Sequence, residues 1–197
     1  MPRMSPIESA LCRSAPWRAF ARRVVLPWAL QGLRPRGRVL EIGAGSGAMA
    51  AELLATYSDI TMTVTDLDAE MVDAVADRLA SFAGRVTVRH ADALALPFPD
   101  GSFDVVLSWI MLHHTVEWEK AIAEGLRVLC PGGHLVGYDM LSSTPLRLFH
   151  RAEGAPFRLM SFRELREAVR QLPVDQAILN PSLAGLAVRF TLRKTSE

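Results

Sequence analysis

The chain has 197 residues, of which 50% are hydrophobic and 22% are charged, and it carries a formal net charge of +1. These values fit one globular domain with a sizeable core. The sequence contains no run of about 18 or more apolar residues, so no transmembrane helix is predicted. The two cysteines make neither a disulfide framework nor a zinc cluster, and the sequence shows no continuous apolar leader. We therefore expect a cytoplasmic protein without a bound metal ion.

The near-neutral total charge conceals a basic N-terminal region. Residues 1–38 contain eight arginines and one acidic residue, whereas residues 39–143 contain fifteen acidic and five basic residues. We interpret residues 1–35 as a helical cap that packs on an acidic domain of residues 36–197. The arginines also leave open a weak contact with a membrane surface. Nucleic acid is not an expected partner, because no basic patch with interleaved aromatic residues is present.

Apolar patterns along the chain predict strands and helices in alternation. An amphipathic helix begins near Pro16, and Pro27 should bend or end it. The predicted strands are Arg38–Ile42, Ile60–Thr65, Arg85–Arg89, Phe103–Ser108, His134–Asp139, Val174–Leu179 and Leu186–Leu192. The predicted helices are Ala48–Tyr57, residues 69–82, Val116–Leu129 and a last helix that begins with a capping box of Ser161 and Glu164. Turns are predicted at Pro131–Gly133 and around Asn180 and Pro181.

Five successive strand–helix units predict a parallel sheet with helices on both faces. In such a sheet, ligands bind at the carboxyl ends of the strands. Several polar residues of this sequence are expected at those ends, namely Glu41, Asp66, Asp92, Ser108 and Asp139. The sequence therefore predicts a binding site at this edge of the sheet.

A glycine-rich loop follows the first predicted strand and contains Gly43, Gly45 and Gly47. Glycine lets the backbone turn sharply and approach a ligand closely, and the amides that open the next helix suit a carboxylate or a phosphate. Gly43, Gly45 and Ala48 also satisfy the dinucleotide-binding fingerprint. Glu41, however, places a carboxylate where a pyrophosphate would meet like charge. A ligand with a cationic amine fits this arrangement better.

Five segments in sequence order resemble the motifs of the class I S-adenosylmethionine-dependent methyltransferases. They are Val39–Gly47, Val64–Met71, His90–Phe98, Ser102–Val106 running on to Leu112–His114, and Arg127–Gly133. The similarity is greatest to the small-molecule branch that includes the ubiquinone and menaquinone C-methylases. It implies a Rossmann-like three-layer α/β/α sandwich, with a mostly parallel seven-stranded sheet whose last strand is antiparallel. It also implies an enzyme that transfers a methyl group from S-adenosylmethionine to a small-molecule acceptor by in-line displacement, leaving S-adenosylhomocysteine.

The resemblance implies a cofactor-binding role for one group of residues: Glu41, Gly43, Ala44, Gly45, Gly47, Asp66, Leu67, Asp92, Ala93, Ser108 and Trp109. Asp66 would accept hydrogen bonds from both ribose hydroxyls, and Glu41 would help to hold the amino group. Asp92 would accept the adenine amino group, while Ala93 offers a backbone N–H and Leu67 lies against the ring. Asp66 and Asp92 could instead only cap local turns.

Ser108 and Trp109 would lie near the methyl-bearing sulfur, although Trp109 could equally be a wall of the pocket. His113 and His114 follow the fourth predicted strand and are the candidates for a general base. A base is needed only when the acceptor keeps its proton at neutral pH. Because paired histidines are common at this position in the family, a structural role for both stays open.

The sequence departs from the family pattern at its N-terminus. Residues 1–38 contain no tyrosine that could reach the cofactor, and Trp17, Phe20 and Trp28 are the aromatic residues available there. The connection after the fifth strand is short, which predicts an open acceptor site. A partner chain could complete such a site, so both a monomer and a homodimer are compatible with the sequence.

Two other classes of function stay open. A non-catalytic S-adenosylmethionine-binding scaffold or regulator would share the fold, although the intact Glu41 and Asp66 favour a working site. An NAD(P)-dependent oxidoreductase would share the glycine loop, but Glu41 and the Asp92–Ala93 pair argue against it. Methylation of protein or RNA would call for a recognition extension that this sequence lacks.

Overall fold

The computed structural model describes residues 19–144, 146–148 and 157–196. Its strands are β1 Gly37–Ile42, β2 Ile60–Asp66, β3 Val86–His90, β4 Phe103–Trp109, β5 Leu129–Met140, β6 Val174–Ser182 and β7 Ala187–Lys194. Its α-helices are α1 Leu26–Leu30, α2 Ala48–Thr56, α3 Ala69–Leu79, α4 Trp118–Arg127 and α5 Phe162–Arg170. Short helical turns cover Ala21–Val25, Ala80–Phe82, Leu112–His114 and Leu183–Gly185. The predicted start of the first helix, at Pro16, lies outside the described residues.

The seven strands form one sheet in the order β3-β2-β1-β4-β5-β7-β6. Neighbouring strands from β3 to β5 pair in parallel, while β7 runs antiparallel to both β5 and β6. The predicted fold is therefore confirmed, including the antiparallel last strand. The chain order reverses beside β1, where β4 pairs on the opposite side from β2, and this is where open α/β sheets bind ligands.

Each face of the sheet has its own apolar core. Leu40 and Val106 belong to the core on one face, together with the buried Trp118 of α4. Their neighbours Val39 and Leu107 point to the other face and join the core that α1, α2 and α3 cover. Since adjacent residues of a strand face opposite sides, near-continuous apolar strands are what a sheet covered on both faces needs.

Two predicted turns are wrong because strands run through them. Pro131–Gly133 lies inside β5, where the pairing with β4 passes from Leu129 opposite Phe103 to His134 opposite Val105, so the strand carries an irregular stretch in place of a separate turn. Asn180 and Pro181 lie inside β6. β6 is the edge of the sheet, where a proline without an N–H group can be tolerated. The chain turns later, at Leu183–Gly185.

Pro27 does not end the N-terminal helix. A π-helical turn, Ala21–Val25, leads directly into α1, and Pro27 lies in the first turn of α1 without ending the helix. The helix ends at Leu30, and Gln31 takes a left-handed conformation with φ 51°. The region around α1 then packs on the sheet rather than standing apart from it.

Polar side chains attach the end of α1 to the last two strands. The Gln31 side chain donates to Thr191 Oγ1 at 3.1 Å and accepts a hydrogen bond from the Asn180 amide. Arg189 donates from Nη1 to the carbonyl of Trp28 at 2.9 Å. The boundary between a cap and a main domain near residue 35 stays a prediction. Within the described part of the chain, no helix is long and apolar enough to cross a membrane.

We predict that Ser161→Ala lowers the free energy of unfolding by about 1 kcal/mol, because it removes the cap of α5. Ser161 Oγ accepts from the Glu164 N–H at 3.2 Å, and the Glu164 carboxylate accepts from the Ser161 N–H at 2.7 Å. Urea denaturation measures the change. Ser161→Asn is the matched control, since asparagine keeps a capping oxygen and should stay close to wild type. Equal losses in both variants would contradict the capping role.

Candidate functional site

The glycine loop has the backbone conformation that only glycine adopts without strain. Gly43, Gly45 and Gly47 have φ values of 66°, 52° and 67°, in the left-handed region. A Cβ atom on Gly43 would also collide with the side chain of Met111. Helix α2 begins directly after Gly47, so its first amide groups open onto the end of β1. The loop is a cradle for a ligand that approaches the backbone closely.

Asp66 holds this loop against the end of β2. One oxygen of its buried carboxylate accepts from the Gly45 N–H at 2.8 Å, and the other accepts from the Asp68 N–H at 3.0 Å. Each carboxylate oxygen has a second lone pair, so these bonds leave acceptor capacity for hydroxyl groups. Asp68 caps α3 by accepting from the Glu70 N–H at 2.8 Å. Asp66 therefore holds the glycine loop, whereas Asp68 caps α3.

Glu41 is a buried carboxyl group beside the loop. Its side chain is 1% exposed, and Oε2 finds no hydrogen-bond partner among the described residues. Burial, and to a smaller extent the charge of Asp66, raise the pKa of Glu41 to about 8. Without a ligand, Glu41 is therefore mostly protonated at neutral pH. A cation placed beside it would favour the charged form and satisfy the orphan oxygen.

The predicted adenine-side residues meet at the ends of β2 and β3. The Ala91 N–H donates to the carbonyl of Asp66 at 2.9 Å, which brings the segment after β3 next to β2. The Asp92 carboxylate is exposed and accepts from the Leu94 N–H at 2.8 Å, so it also closes a local turn. Leu67 is 51% exposed, and Ala93 is half-buried. The structure brings these residues together around one open edge.

Buried polar atoms without partners mark the end of β4. Ser108 Oγ and Trp109 Nε1 have no hydrogen-bond partner in the described residues. The Trp109 ring lies 5.6 Å from the ring of Tyr138, which in turn lies 5.0 Å from Trp28 of α1. Burial, then the charges of Asp139 and Glu41, raise the pKa of Tyr138 to about 12. The phenol therefore stays neutral at physiological pH.

His113 is held in the core by Asp139. The two side chains are 2% and 0% exposed, and His113 Nδ1 lies 2.5 Å from Asp139 Oδ1. The same carboxylate accepts from the N–H groups of Leu112 and Met140, each at 2.7 Å. An acceptor in this position requires a proton on Nδ1. The ring of His114 lies 4.0 Å from that of His113, and the role of either histidine as a base stays a prediction.

Tyr138 and Arg189 also stand at this edge of the sheet, although the sequence alone does not assign them to the site. Tyr138 pairs with Trp109 on one side and with Arg189 on the other, so the three residues stand in one row across β4, β5 and β7. Alternation along β5 could have placed Tyr138 on the face of Glu41, but only the pairing of β7 brings Arg189 there. No group of three or more His, Cys, Asp or Glu residues in the described ranges could hold a metal ion.

Comparisons with known proteins agree with this geometry. A family model described as a methyltransferase domain matches residues 40–137. The chain is 33% identical over 191 residues to the ubiquinone/menaquinone biosynthesis C-methyltransferase UbiE of Geotalea daltonii, with 89% of this chain and 77% of that protein covered. It is 40% identical over 111 residues to the 27-O-demethylrifamycin SV methyltransferase of Amycolatopsis mediterranei, with 55% of this chain and 40% of that protein covered. The chain thus spans less than half the length of the second relative.

A solved structure supports the same fold. Phosphoethanolamine N-methyltransferase 2 of Haemonchus contortus, in complex with phosphomonomethylethanolamine and S-adenosylhomocysteine, superposes with a TM-score of 0.74. The sequence identity is 17%, and the match covers 88% of this chain and 52% of that chain.

The raised pKa of Glu41 predicts that the stability of the unliganded protein falls as the pH rises. The folded protein keeps this proton up to a pH of about 8, whereas the unfolded chain releases it near 4.5. The contribution of this proton to the free energy of unfolding is complete below the pKa of Glu41 in the unfolded chain. It is lost as the pH rises through the pKa in the folded protein, and the free energy of unfolding falls by up to about 1.4 kcal/mol per pH unit.

Urea denaturation of wild type and Glu41→Gln between about pH 5 and 9 tests this expectation. The variant has no titrating proton at this position, so it should gain stability relative to wild type as the pH rises. A difference between the two proteins that does not change with pH would contradict the raised pKa.

Proposed function

Because the chain belongs to the class I S-adenosylmethionine-dependent methyltransferase family, in a branch similar to UbiE, we propose that it methylates a small-molecule acceptor at the end of β4. The observation that carries this proposal is Glu41, a buried carboxyl group with an orphan oxygen beside a glycine cradle. When bound, S-adenosylmethionine supplies a methyl group on a positively charged sulfur, which a nucleophile can displace directly.

The residues around the loop fit the methionine and ribose parts of this cofactor. Gly43, Gly45 and Gly47 would let the backbone pass close to the ligand, and Ala44 would add a backbone contact. Glu41 would pair with the ammonium group, and this interaction lowers its pKa again. Asp66 would accept the ribose hydroxyls with the lone pairs that Gly45 and Asp68 leave unused.

The remaining residues would hold the adenine and enclose the reacting centre. We assign Leu67, Asp92 and Ala93 to the adenine side, where their segments adjoin the end of β2. Ser108 and Trp109 would lie beside the methyl group, and their unpaired polar atoms would then find partners. Exclusion of water and alignment of nucleophile, carbon and sulfur are the main contributions the protein has to make.

His113 and His114 belong to the proposal as candidate bases for an acceptor that keeps its proton. The hydrogen bond between Nδ1 and Asp139 would fix the tautomer and the orientation of the His113 ring, as a carboxylate does for a catalytic histidine. The burial of His113 supports a second role, in which the pair shapes the turn after β4.

The relatives suggest the kind of acceptor. One is named for ubiquinone and menaquinone biosynthesis and the other for 27-O-demethylrifamycin SV, and a small organic acceptor of comparable chemistry fits the present chain. A cytoplasmic location is part of the proposal, in keeping with the free thiol of Cys130. The proposal also includes a monomeric or homodimeric state and a weak contact of the basic N-terminal region with a membrane surface.

Calorimetric titration with S-adenosylhomocysteine and with NAD tests the cofactor assignment. We expect micromolar binding of S-adenosylhomocysteine alone, and a loss of at least about tenfold in Asp66→Ala, because one charge-assisted bond is worth about 1.5–3 kcal/mol. Asp68→Ala is the matched control, since it removes a neighbouring carboxylate that only caps α3. Binding of NAD, or equal losses in the two variants, would overturn the assignment.

We predict that binding of S-adenosylhomocysteine releases a proton from Glu41, which the same titrations can measure. At pH 7 the unliganded protein holds a proton on Glu41, and an ammonium group beside it would displace up to about one proton. Heats measured in two buffers of different ionisation enthalpy give the number released. Glu41→Gln should release none from this position. A binding heat in wild type that is independent of the buffer would contradict the pairing of Glu41 with the ammonium group.

A further inference from the structure

Arg189 of β7 is a half-buried cation at the carboxyl end of the sheet. It donates from Nη1 to the carbonyl of Trp28 at 2.9 Å and from Nε to Ser182 Oγ at 3.1 Å. Its guanidinium also lies over the Trp28 ring, 5.1 Å from the centroid. These contacts hold the group in one orientation, with further N–H donors left over from its five.

No carboxylate pairs with Arg189 among the residues that the structure describes. Two other half-buried arginines pair with carboxylates, whereas Arg85, just before β3 at the amino end of the parallel strands, donates to the carbonyls of Tyr57 and Leu54 instead. Arg127 lies 2.7 Å from an oxygen of Glu124, and Arg158 lies 2.7 Å from an oxygen of Glu119. Removing a positive charge partly from water without an internal counter-ion costs free energy. A bound anion that pairs with this charge would offset the cost.

An aromatic wall connects Arg189 to the end of β4. We use this name for Trp28, Tyr138 and Trp109, whose rings follow one another at 5.0 and 5.6 Å. The register places Arg189, Tyr138 and Trp109 side by side on β7, β5 and β4. Two strand spacings separate Arg189 from Trp109, or about 10 Å. That is roughly the length of two fused aromatic rings with a polar substituent.

We propose that Arg189 and the aromatic wall form an acceptor subsite, which selects an aromatic acceptor that carries an anionic oxygen. The proposal rests on the proposed function, because it takes the end of β4 as the place of methyl transfer. The rings of Trp28 and Tyr138 would pack against the acceptor ring, while Arg189 would bind its ionised hydroxyl or carboxylate group. An acceptor whose hydroxyl is bound in its ionised form needs no general base, in keeping with the burial of His113 against Asp139.

Three of the four subsite residues lie outside the segment that the methyltransferase family model matches. The match covers residues 40–137, whereas Trp28 precedes it and both Tyr138 and Arg189 follow it. Residues that bind the shared cofactor are expected inside a segment common to the family, whereas residues that select one acceptor need not lie inside it. The position of the subsite in the chain is therefore that of a specificity element.

A purely structural role for Arg189 makes a different prediction. Its bond to the Trp28 carbonyl closes the end of α1, so a substitution could loosen the wall. Such loosening would weaken charged and uncharged aromatic ligands alike. Only a role in anion recognition predicts a change in the ratio of their affinities.

The test compares aromatic probes that differ in charge but not in ring system. Protein saturated with S-adenosylhomocysteine is titrated with 2-naphthoate and 2-naphthamide, and separately with 4-nitrophenolate and 4-nitroanisole. The first pair reports on a carboxylate and the second on an ionised hydroxyl. We expect wild type to bind the anion of at least one pair about tenfold more tightly, which corresponds to about 1.4 kcal/mol.

Arg189→Gln should abolish this preference while leaving S-adenosylhomocysteine binding unchanged. Arg193→Gln is the matched control, because Arg193 stands on the same strand and face, at the far end, where it lies 3.5 Å from Asp175. It should keep the full preference. Arg189→Lys retains a cation without the planar fork, so an intermediate preference is expected.

The possible outcomes separate the two proposals. Wild type that does not bind S-adenosylhomocysteine would overturn the proposed function itself. Wild type that binds it but shows no preference for either anion would overturn the subsite alone. The subsite also fails when Arg189→Gln keeps the preference. Should that variant not fold, the preference of wild type and its reduction in Arg189→Lys decide the matter.

Discussion

The site depends on two carboxyl groups buried at the ends of neighbouring parallel strands. Glu41 pairs with Val64, so it stands two residues behind Asp66 in the register of β1 and β2. Two negative charges this close would repel strongly in a medium of low dielectric constant. The fold gives Asp66 two backbone donors and leaves a proton on Glu41, whose pKa rises to about 8. The pair is thus complementary to a ligand that brings a positive charge.

The glycine loop and the aromatic wall come from different parts of the chain. The glycine loop and β2 lie within the matched segment, residues 40–137, and β1 begins just before it. The aromatic wall takes Trp28 from α1 and Tyr138 from β5, and the hydrogen bonds of Gln31 and Arg189 hold α1 against β7. These contacts join residues that are far apart in the sequence.

Asp139 links the two sides. It ends the run of β5 that carries Tyr138, and its carboxylate accepts from Leu112 and His113 in the turn after β4. A buried carboxylate with three donors is a rigid joint, because loss of any one bond would leave a charge poorly compensated. These hydrogen bonds hold the turn after β4 against β5, beside Ser108 and Trp109 at the end of β4.

Local pattern was enough to determine the alternation of strands and helices, the glycine loop and the residues at the strand ends, because periodicity and backbone preference act over a few neighbours. It failed at Pro181, where pairing with β7 overrode the turn signal, and at Pro131, which lies in an irregular stretch of β5. The placement of Arg189 beside Trp28 and of His113 against Asp139 joins residues far apart in sequence or across a loop. Such contacts arise only from the order in which strands pair, so tertiary structure alone decided them.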